Sequence, residues 1–209
     1  MSTFDFGDAS DLALLVCDLQ NDFLHPDGAY AKAKASAGHV SAVVPRVKLV
    51  ADAVRRAGGL VIGTMFTLVP GRDGKPMIAP HLKTLRPFLG EGHFVPGSWG
   101  QAMLDELKPF DATVEKVAYS AFYQTRLEWL LRRMGVKRLA ICGIVTNGGV
   151  ASTLRDAAVR DYPIILLEDG CAAFDMATHQ ASIKSLTSIV TLMSCAGLAE
   201  ALGRAPAKR

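Results

Sequence analysis

The chain has 209 residues, of which 50% are hydrophobic and 21% are charged, and its formal net charge is +3. This length and composition are typical of one globular domain, and the small net charge with scattered basic residues argues against nucleic-acid binding. No hydrophobic run approaches membrane-spanning length, and the N-terminus lacks the features of a signal peptide. We therefore expect a single-domain cytoplasmic protein (residues 1–209, core about 11–200) with no nucleic-acid or membrane partner.

The first hydrophobic run, Leu12–Cys17, predicts a strand that is buried on both faces. Asp18 follows it directly and begins a polar loop that continues to Gly28. A carboxylate at the end of a buried strand is a common functional position in an open α/β sheet, although an aspartate there also caps loops and helices. We favour a functional role for Asp18, because the preceding run implies that it is partly buried.

A helix is predicted from Val43 to Ala57 by the helical spacing of its hydrophobic residues, and Leu60–Phe66 predicts a second strand. Residues 67–98 show little periodicity and many glycines and prolines, so we expect a long excursion that forms a lid or a pocket wall. Its basic side chains can meet an acidic substrate or lie on a solvated face; they are Arg72, Lys75, Lys83 and Arg86.

The third predicted strand, Ala112–Lys116, ends at a lysine. The loop that follows contains Tyr119 and leads to Thr125–Glu128, which has the spacing of a capping box. Hydrophobic residues at helical spacing continue from there until Gly135. This segment therefore predicts a strand, a loop and an amphipathic helix.

The fourth predicted strand, Leu139–Cys142, is broken by Gly143 and leads into the glycine-rich turn Val145–Gly149. A helix opens at this turn, so the backbone N–H groups around Gly148, Gly149 and Val150 can bind an anion or a developing oxyanion. The alternative is that the two glycines only allow the chain to turn.

The remaining sequence continues the alternation of strands and helices. It predicts strands at Pro163–Glu168 and Ile189–Met193, a helix within Phe174–Leu186, and a last helix that ends near Leu202. The fold class is therefore α/β: a Rossmann-like, three-layer α/β/α arrangement around a six-stranded, mostly parallel sheet. Residues 1–10 and 203–209 are expected to be loosely held.

Ligands of such sheets bind beyond the carboxyl ends of the strands. Asp18, Lys116 and the Val145–Gly149 turn all lie at that edge in the predicted fold. A carboxylate, an ammonium group and exposed backbone donors together form a plausible catalytic site. The cysteines lack CxxC spacing and lie in or beside hydrophobic runs, so we expect them to be free and buried; they are Cys17, Cys142, Cys171 and Cys195.

Across about residues 11–200 the chain resembles the isochorismatase-like hydrolase superfamily, which includes cysteine amidohydrolases and nicotinamidases. The motifs that carry the resemblance are Asp18–Phe23, Val95–Gly100, Lys116 with Tyr119–Phe122 and Thr125, Gly143–Asn147, and Ser152–Ala157. The resemblance implies a six-stranded parallel sheet, a small-molecule substrate, and Asp18 and Lys116 as catalytic residues. The residues that it implies in substrate binding are Gln20, Phe23, Trp99, Tyr119, Val145, Thr146, Asn147, Gly148 and Val150.

Gly149 occupies the position at which amidohydrolase members of the superfamily have their catalytic cysteine. A glycine cannot form a thioester, which excludes ordinary covalent amidase chemistry at this position. No other cysteine fills this role by sequence, although another thiol that reaches the pocket stays an alternative. Gly149 as an engineered replacement of a natural cysteine is a further alternative, for which alanine or serine is the more usual choice.

The isochorismate-cleaving branch of the superfamily also has glycine at this position, and it hydrolyses a vinyl ether without a covalent intermediate. The resemblance to this branch implies that Asp18 protonates the enol-ether methylene carbon, after which water adds to the oxocarbenium ion. Such chemistry needs a carboxylic acid with a raised pKa. Lys116 would hold a substrate carboxylate or stabilise the charge on Asp18. The competing hypothesis is a binding or assembly module that has lost covalent catalysis.

Several further expectations follow from the resemblance. The segment Phe66–Lys75, where nicotinamidases have metal-binding histidines, contains none, so we expect no metal site and no cofactor. The Val145–Thr146 peptide is the candidate for a cis bond. His25 is the histidine expected to line the pocket, because it follows the Asp18 loop. The superfamily also favours homo-oligomers, and we expect a homodimer or a homotetramer.

Overall fold

A computed structural model describes residues 8–36 and 38–204. The termini that the sequence predicts to be loosely held fall mostly in residues 1–7 and 205–209, which lie outside the described residues. Within the described part of the chain, no helix is both long enough and apolar enough to span a lipid bilayer.

Six strands form one parallel sheet in the order β3-β2-β1-β4-β5-β6. The strands are β1 Leu12–Cys17, β2 Leu60–Phe66, β3 Ala112–Lys116, β4 Arg138–Ile144, β5 Ile164–Ala172 and β6 Thr191–Met193. The predicted α/β fold class is confirmed. The strand order reverses between β1 and β4, and ligands of such sheets bind in the crevice at this reversal.

Helices connect the strands and cover the sheet. They are α1 Asn21–Leu24, α2 Ala29–Lys32, α3 Gly38–Ser41, α4 Val44–Arg56, α5 Pro80–Leu85, α6 Leu127–Arg133, α7 Ala151–Val159, α8 Met176–Leu186 and α9 Cys195–Gly203. Because crossovers between parallel strands are right-handed as a rule, the strand order puts α4 on one face of the sheet and α6, α7 and α8 on the other. The last helix, α9, packs against α4.

The core forms around the central strands. All six residues of β1 are buried, which explains its unbroken hydrophobic sequence. Val47, Val50 and Val54 recur at helical spacing on α4, and all three are fully buried. Burying each side chain of this size contributes about 1.5–3 kcal/mol, and together they fix α4 on the sheet.

A second, smaller hydrophobic cluster lies beside the carboxyl edge of the sheet. It is formed by Tyr30, Leu68, Leu89 and Phe94, with Phe23, Phe66 and Phe174 packed against it. Three of its four buried members, Leu68, Leu89 and Phe94, come from the excursion at residues 67–98, which also contains α5. The excursion is therefore anchored in its own hydrophobic cluster, next to the strand ends.

The prediction that Gly143 breaks the fourth strand is wrong, because β4 continues to Ile144. Gly143 has φ +116°, and a Cβ atom built on it would lie 2.1 Å from the carbonyl oxygen of Cys17 on the neighbouring strand. Only glycine allows the two backbones to approach this closely. The cis peptide is also displaced from the prediction: it joins Ile144 and Val145, at the junction of strand and turn, and not Val145 and Thr146.

Smaller differences concern the ends of elements. The helix predicted from the capping-box spacing begins at Leu127, whose N–H donates to Thr125 Oγ1 at 3.1 Å. The same hydroxyl donates to the carbonyl of Ala121, so Thr125 braces the preceding loop and stands just outside the helix. The last strand starts at Thr191, two residues later than predicted.

Candidate active site

Asp18 lies at the carboxyl end of β1 and is almost fully buried. Its Oδ2 atom is 2.7 Å from Lys116 Nζ, and Thr64 Oγ1 donates to its Oδ1 atom at 3.1 Å. The sheet register explains this arrangement, because Cys17 pairs with Thr64 and Phe66 pairs with Lys116. Three adjacent strands therefore deliver a carboxylate, a hydroxyl and an ammonium group to one point.

Burial dominates the electrostatics of Asp18. Loss of solvent raises the pKa of its carboxyl, and this effect outweighs the opposing charge and hydrogen bond of Lys116 and the hydrogen bond from Thr64. Lys116 Nζ also donates to the carbonyl of Ala118 at 3.1 Å. Of the two roles considered for Lys116, the geometry therefore favours stabilising the charge on Asp18.

The turn after β4 faces this pair. Thr146–Val150 forms a single π-helical turn that leads into α7. The N–H groups of Gly148 and Val150 both donate to the carbonyl of Val145, at 3.0 and 3.3 Å. These two N–H groups are therefore satisfied within the turn, and anion binding by this turn stays a prediction for the N–H of Gly149.

Gly149 lies directly against the Asp18–Lys116 pair. A Cβ atom built on Gly149 would be 3.0 Å from Asp18 Oδ2 and 3.5 Å from Lys116 Nζ. The first distance is shorter than an ordinary van der Waals contact, so any side chain at this position would press on the carboxylate. With glycine, the Asp18 carboxylate faces the backbone of the turn.

A cavity of about 530 Å³ opens onto this group. Its walls are largely hydrophobic, and their main side chains are Phe23, Tyr30, Phe66, Leu82, Leu89 and Phe174. Asp18, Lys116 and Gly149 line the same cavity. A pocket of this size with a few converging polar groups suits a small organic ligand.

Most of the residues that the sequence implicated come together here. The cavity is lined by Asp18, Phe23, Lys116, Tyr119, Val145, Asn147, Gly148 and Gly149. Four residues expected to bind substrate do not line it: Gln20, Trp99, Thr146 and Val150.

The four exceptions have other roles. Gln20 is fully buried, and its side-chain amide forms hydrogen bonds with the backbone of Phe66 and of Gln101. These hydrogen bonds join the Asp18 loop to the end of β2. Trp99 is 51% exposed and packs edge-on to His25. Thr146 and Val150 are completely buried within or behind the turn.

The expectation for His25 is also wrong. This residue contacts Trp99 and the N–H of Asp27 outside the cavity. Two other histidines replace it at the site. His81, from α5, lines the cavity, and His179, from α8, forms a 2.8 Å hydrogen bond with Thr146 and so braces the turn. Burial lowers the pKa of His179.

Tyr30 and Phe174 line the cavity although the sequence did not single them out, and Arg86 was only one of four basic candidates. The guanidinium of Arg86 lies 4.8 Å from the ring centre of Phe174 and 5.8 Å from that of Tyr30. These residues come from α2, the excursion and the segment after β5, so no local motif joins them. The long, weakly periodic excursion was a signal for Arg86 alone, and nothing local in the sequence pointed to Tyr30 or Phe174.

No thiol is placed for nucleophilic attack in the described chain. All four cysteines are free and buried, and none of them lines the cavity. Burial raises the pKa of each thiol, and that of Cys17 to about 12. A metal site is likewise not visible: residues 8–36 and 38–204 contain no group of three or more His, Cys, Asp or Glu side chains that could hold a metal ion.

Comparison with known proteins places these features in a family. The model of the isochorismatase domain matches residues 12–196. A cysteine hydrolase from Pseudomonas syringae pv. phaseolicola 1448A superimposes with a TM-score of 0.81 over 95% of both chains, at 24% sequence identity.

Two further structures are similar over most of their length. An isochorismatase family protein from Desulfovibrio vulgaris has 25% identity and a TM-score of 0.75, covering 93% of this chain and 99% of its own. The N-carbamoylsarcosine amidase from Thermoplasma acidophilum has 26% identity and a TM-score of 0.70, covering 88% and 96%. Because the domain match spans most of the chain, the protein belongs to the isochorismatase family of hydrolases.

Proposed function

We propose that this protein hydrolyses a small carboxylated vinyl ether, of the isochorismate type, without a covalent enzyme intermediate. The observation that carries the proposal is Gly149, which leaves no side chain beside the buried carboxylate of Asp18. A family site without a nucleophile, but with a carboxylic acid of raised pKa, suits acid catalysis.

The first step is proton transfer to carbon. Protonated Asp18 donates its proton to the enol-ether methylene carbon, and the ether oxygen stabilises the resulting oxocarbenium ion. The carboxylate that remains is stabilised by Lys116 at 2.7 Å and by the hydroxyl of Thr64 at 3.1 Å. These two contacts favour the ionised form, which is the form that Asp18 reaches after the transfer.

The second step uses water. A water molecule adds to the carbon of the oxocarbenium ion and returns a proton to the Asp18 carboxylate. The hemiketal that forms then collapses by cleavage of the bond between its carbon and the former ether oxygen. Its hydroxyl becomes the ketone carbonyl and gives its proton to the leaving oxygen, which releases an alcohol and a ketone. Asp18 ends in its starting protonation state, and no bond to the protein is made at any stage.

The alternative function is a binding or assembly module that descends from an amidohydrolase and has lost covalent catalysis. It is favoured by the similarity to proteins named as cysteine hydrolase and amidase. Its site would bind the same kind of small molecule without turning it over.

The test is a hydrolysis assay on isochorismate and on a small panel of amides, including nicotinamide and N-carbamoylsarcosine. We expect the wild-type protein to cleave isochorismate. Asp18→Asn should reduce kcat/KM by about 10²-fold or more, because the amide cannot act as the acid. Gly149→Cys tests for a latent amidase site, and Gly149→Ala is the matched control for crowding of Asp18.

The outcomes separate the two functions. Isochorismate cleavage that disappears in Asp18→Asn supports acid catalysis. If the wild-type protein cleaves nothing, while Gly149→Cys but not Gly149→Ala gains amidase activity, the binding module replaces the proposed hydrolase.

We also propose that the protein is a cytoplasmic homodimer or homotetramer. The four free cysteines suit a reducing compartment. Two large hydrophobic side chains, Trp129 on α6 and Val159 at the end of α7, are 62% and 79% exposed and suit an interface between copies. Light scattering after size-exclusion chromatography gives the mass that tests the assembly, and a monomer would contradict it.

A further inference from the structure

The wall of the cavity holds a cation that the proposed chemistry does not use. Arg86 is half-buried, and its guanidinium lies over the rings of Phe174 and Tyr30. Tyr30 and Phe174 stack on each other with their ring planes 7° apart. Cation–π contacts with both rings hold the guanidinium in place at the lining of the cavity.

The other charged groups at the cavity are already paired or bonded. Asp18 and Lys116 bind each other at 2.7 Å. Asp175 is exposed and caps α8, where it accepts a hydrogen bond from the N–H of Thr178 at 2.7 Å. Arg86 forms no ion pair with any residue in the described ranges; its Nη1 donates to the carbonyl of Leu85 at 3.0 Å, and its guanidinium also forms a hydrogen bond with the Tyr30 side chain.

A half-desolvated guanidinium without a counter-ion favours an anionic ligand. Its five N–H donors form a planar fork that matches a carboxylate, and only part of this capacity is used within the protein. Lys116 cannot bind a ligand carboxylate equally well, because its ammonium group already contacts the Asp18 carboxylate and donates to the carbonyl of Ala118.

We propose that Arg86 binds the carboxylate of the substrate and determines specificity for flat, cyclic carboxylates. The aromatic rings of Phe23, Tyr30, Phe66 and Phe174 provide hydrophobic walls against which a planar ring packs. The inference rests on the proposed function for the reaction itself, since it places the substrate body between Arg86 and the acid Asp18.

The test compares two probes of equal shape, benzoate and benzamide, which differ in charge. Their affinities are measured by isothermal titration calorimetry for the wild-type protein, Arg86→Gln and Arg86→Lys. We expect wild type to bind benzoate about tenfold or more tighter than benzamide, as hydrogen bonds between charged groups allow. Arg86→Gln should abolish this preference, and Arg86→Lys should reduce it because the planar fork is lost.

Lys83→Gln is the matched control. Lys83 lies on α5, close to Arg86 in sequence, but it is exposed and does not line the cavity, so its removal changes the net charge equally. We expect it to leave the preference for benzoate unchanged. Benzamide affinity within about twofold of wild type shows that the cavity is intact in each variant. If Arg86→Gln also loses affinity for benzamide, its cavity is not intact. The preference for benzoate measured in Arg86→Lys then decides the test.

The proposal is overturned if wild type binds benzoate no better than benzamide, or binds neither. It is also overturned if the preference persists in an intact Arg86→Gln or is unchanged in Arg86→Lys. Neither probe has an ether or requires turnover, so these results do not depend on whether isochorismate is hydrolysed. A protein that cleaves no vinyl ether but keeps an Arg86-dependent preference would reject the proposed reaction and retain the carboxylate site.

Discussion

Asp18 combines a carboxylate with an environment that opposes its charge. Burial raises its pKa, while Lys116 and Thr64 act in the opposite direction. Since the protonated form is the acid in the proposed reaction, kcat/KM should fall as the pH rises through this raised pKa. A pH–rate profile measured on the cleaved vinyl ether checks this expectation. A rate that instead rises over that range would indicate that Asp18 acts as a base.

Thr64 provides a finer control of the same group. Its hydroxyl donates to Asp18 Oδ1 at 3.1 Å and so favours the ionised form. Thr64→Val removes this hydrogen bond, raises the pKa of Asp18 further, and should move the fall in kcat/KM to higher pH. The matched control is Thr67→Val, because the Thr67 hydroxyl bonds Gln101 and Met65 and not Asp18. A profile that shifts equally in both variants would contradict the assignment.

Lys116 should make a pH-dependent contribution to stability. Lys116→Met leaves the Asp18 carboxylate buried without its ammonium partner, which costs up to about 3–5 kcal/mol when the group is charged. Asp18 avoids this cost by binding a proton. Because its pKa is higher in the folded than in the unfolded state, the free energy of unfolding falls as the pH rises through the folded-state pKa. Urea denaturation should therefore show a larger loss at pH 8 than at pH 5.

The comparison for this variant is an exposed ion pair. Lys48 and Asp52 are separated by one turn of α4 at the protein surface, and Lys48 Nζ is 2.9 Å from Asp52 Oδ2. Lys48→Met should change the free energy of unfolding by less than about 0.5 kcal/mol at either pH. An equal loss in the two variants would mean that the burial of the Asp18–Lys116 pair has no energetic consequence.

At the scale of the elements, β1 and β4 approach so closely that their contact requires glycine. Gly143→Ala adds a Cβ atom 2.1 Å from the Cys17 carbonyl oxygen, and it does so on a backbone with φ +116° that disfavours any side chain. We expect it to lower the free energy of unfolding by at least about 3 kcal/mol, or to prevent folding. Gly74→Ala has a similar positive φ of +77° but open space around it, and should cost only about 1 kcal/mol. Denaturant titration of both variants separates the steric clash from the backbone strain.

The sequence predicted the first three strands to the residue, because each is a short run bounded by polar or turn residues. It failed at β4, since a glycine inside a strand looks the same in sequence as a glycine that ends one. The close approach of Cys17 and Gly143 depends on the strand order, which hydrophobic periodicity does not report. The last strand was overextended because its flanking residues are also hydrophobic.

At the scale of the whole molecule, the site results from the position at which the sheet reverses its order. Asp18 follows β1 and the Gly149 turn follows β4, so two distant segments meet where these strands pair. From the alternation of strands and helices, the sequence could predict that both segments lie at the same edge of the sheet, but not that β1 and β4 are neighbours. It could name Arg86 only as one of four basic candidates, because the place of Arg86 at the cavity depends on how residues 67–98 fold back over Tyr30 and Phe174.

The same limit explains why four residues that were expected to bind substrate do not line the cavity. Gln20 and Trp99 lie in motifs near the site, but the first is bonded to backbone and the second is at the surface. A motif gives proximity along the chain, whereas the direction of a side chain depends on the packing around it. The family resemblance therefore predicted the position of the cavity more accurately than the residues that line it.

Isochorismate cleavage in D₂O tests whether Asp18 delivers a proton to carbon with no covalent intermediate. We expect a ketone product whose methyl group carries one deuterium, detected by NMR or mass spectrometry, and no such product with Asp18→Asn. A protein that leaves isochorismate intact, a product without deuterium in its methyl group, or an unchanged rate in Asp18→Asn would contradict this mechanism.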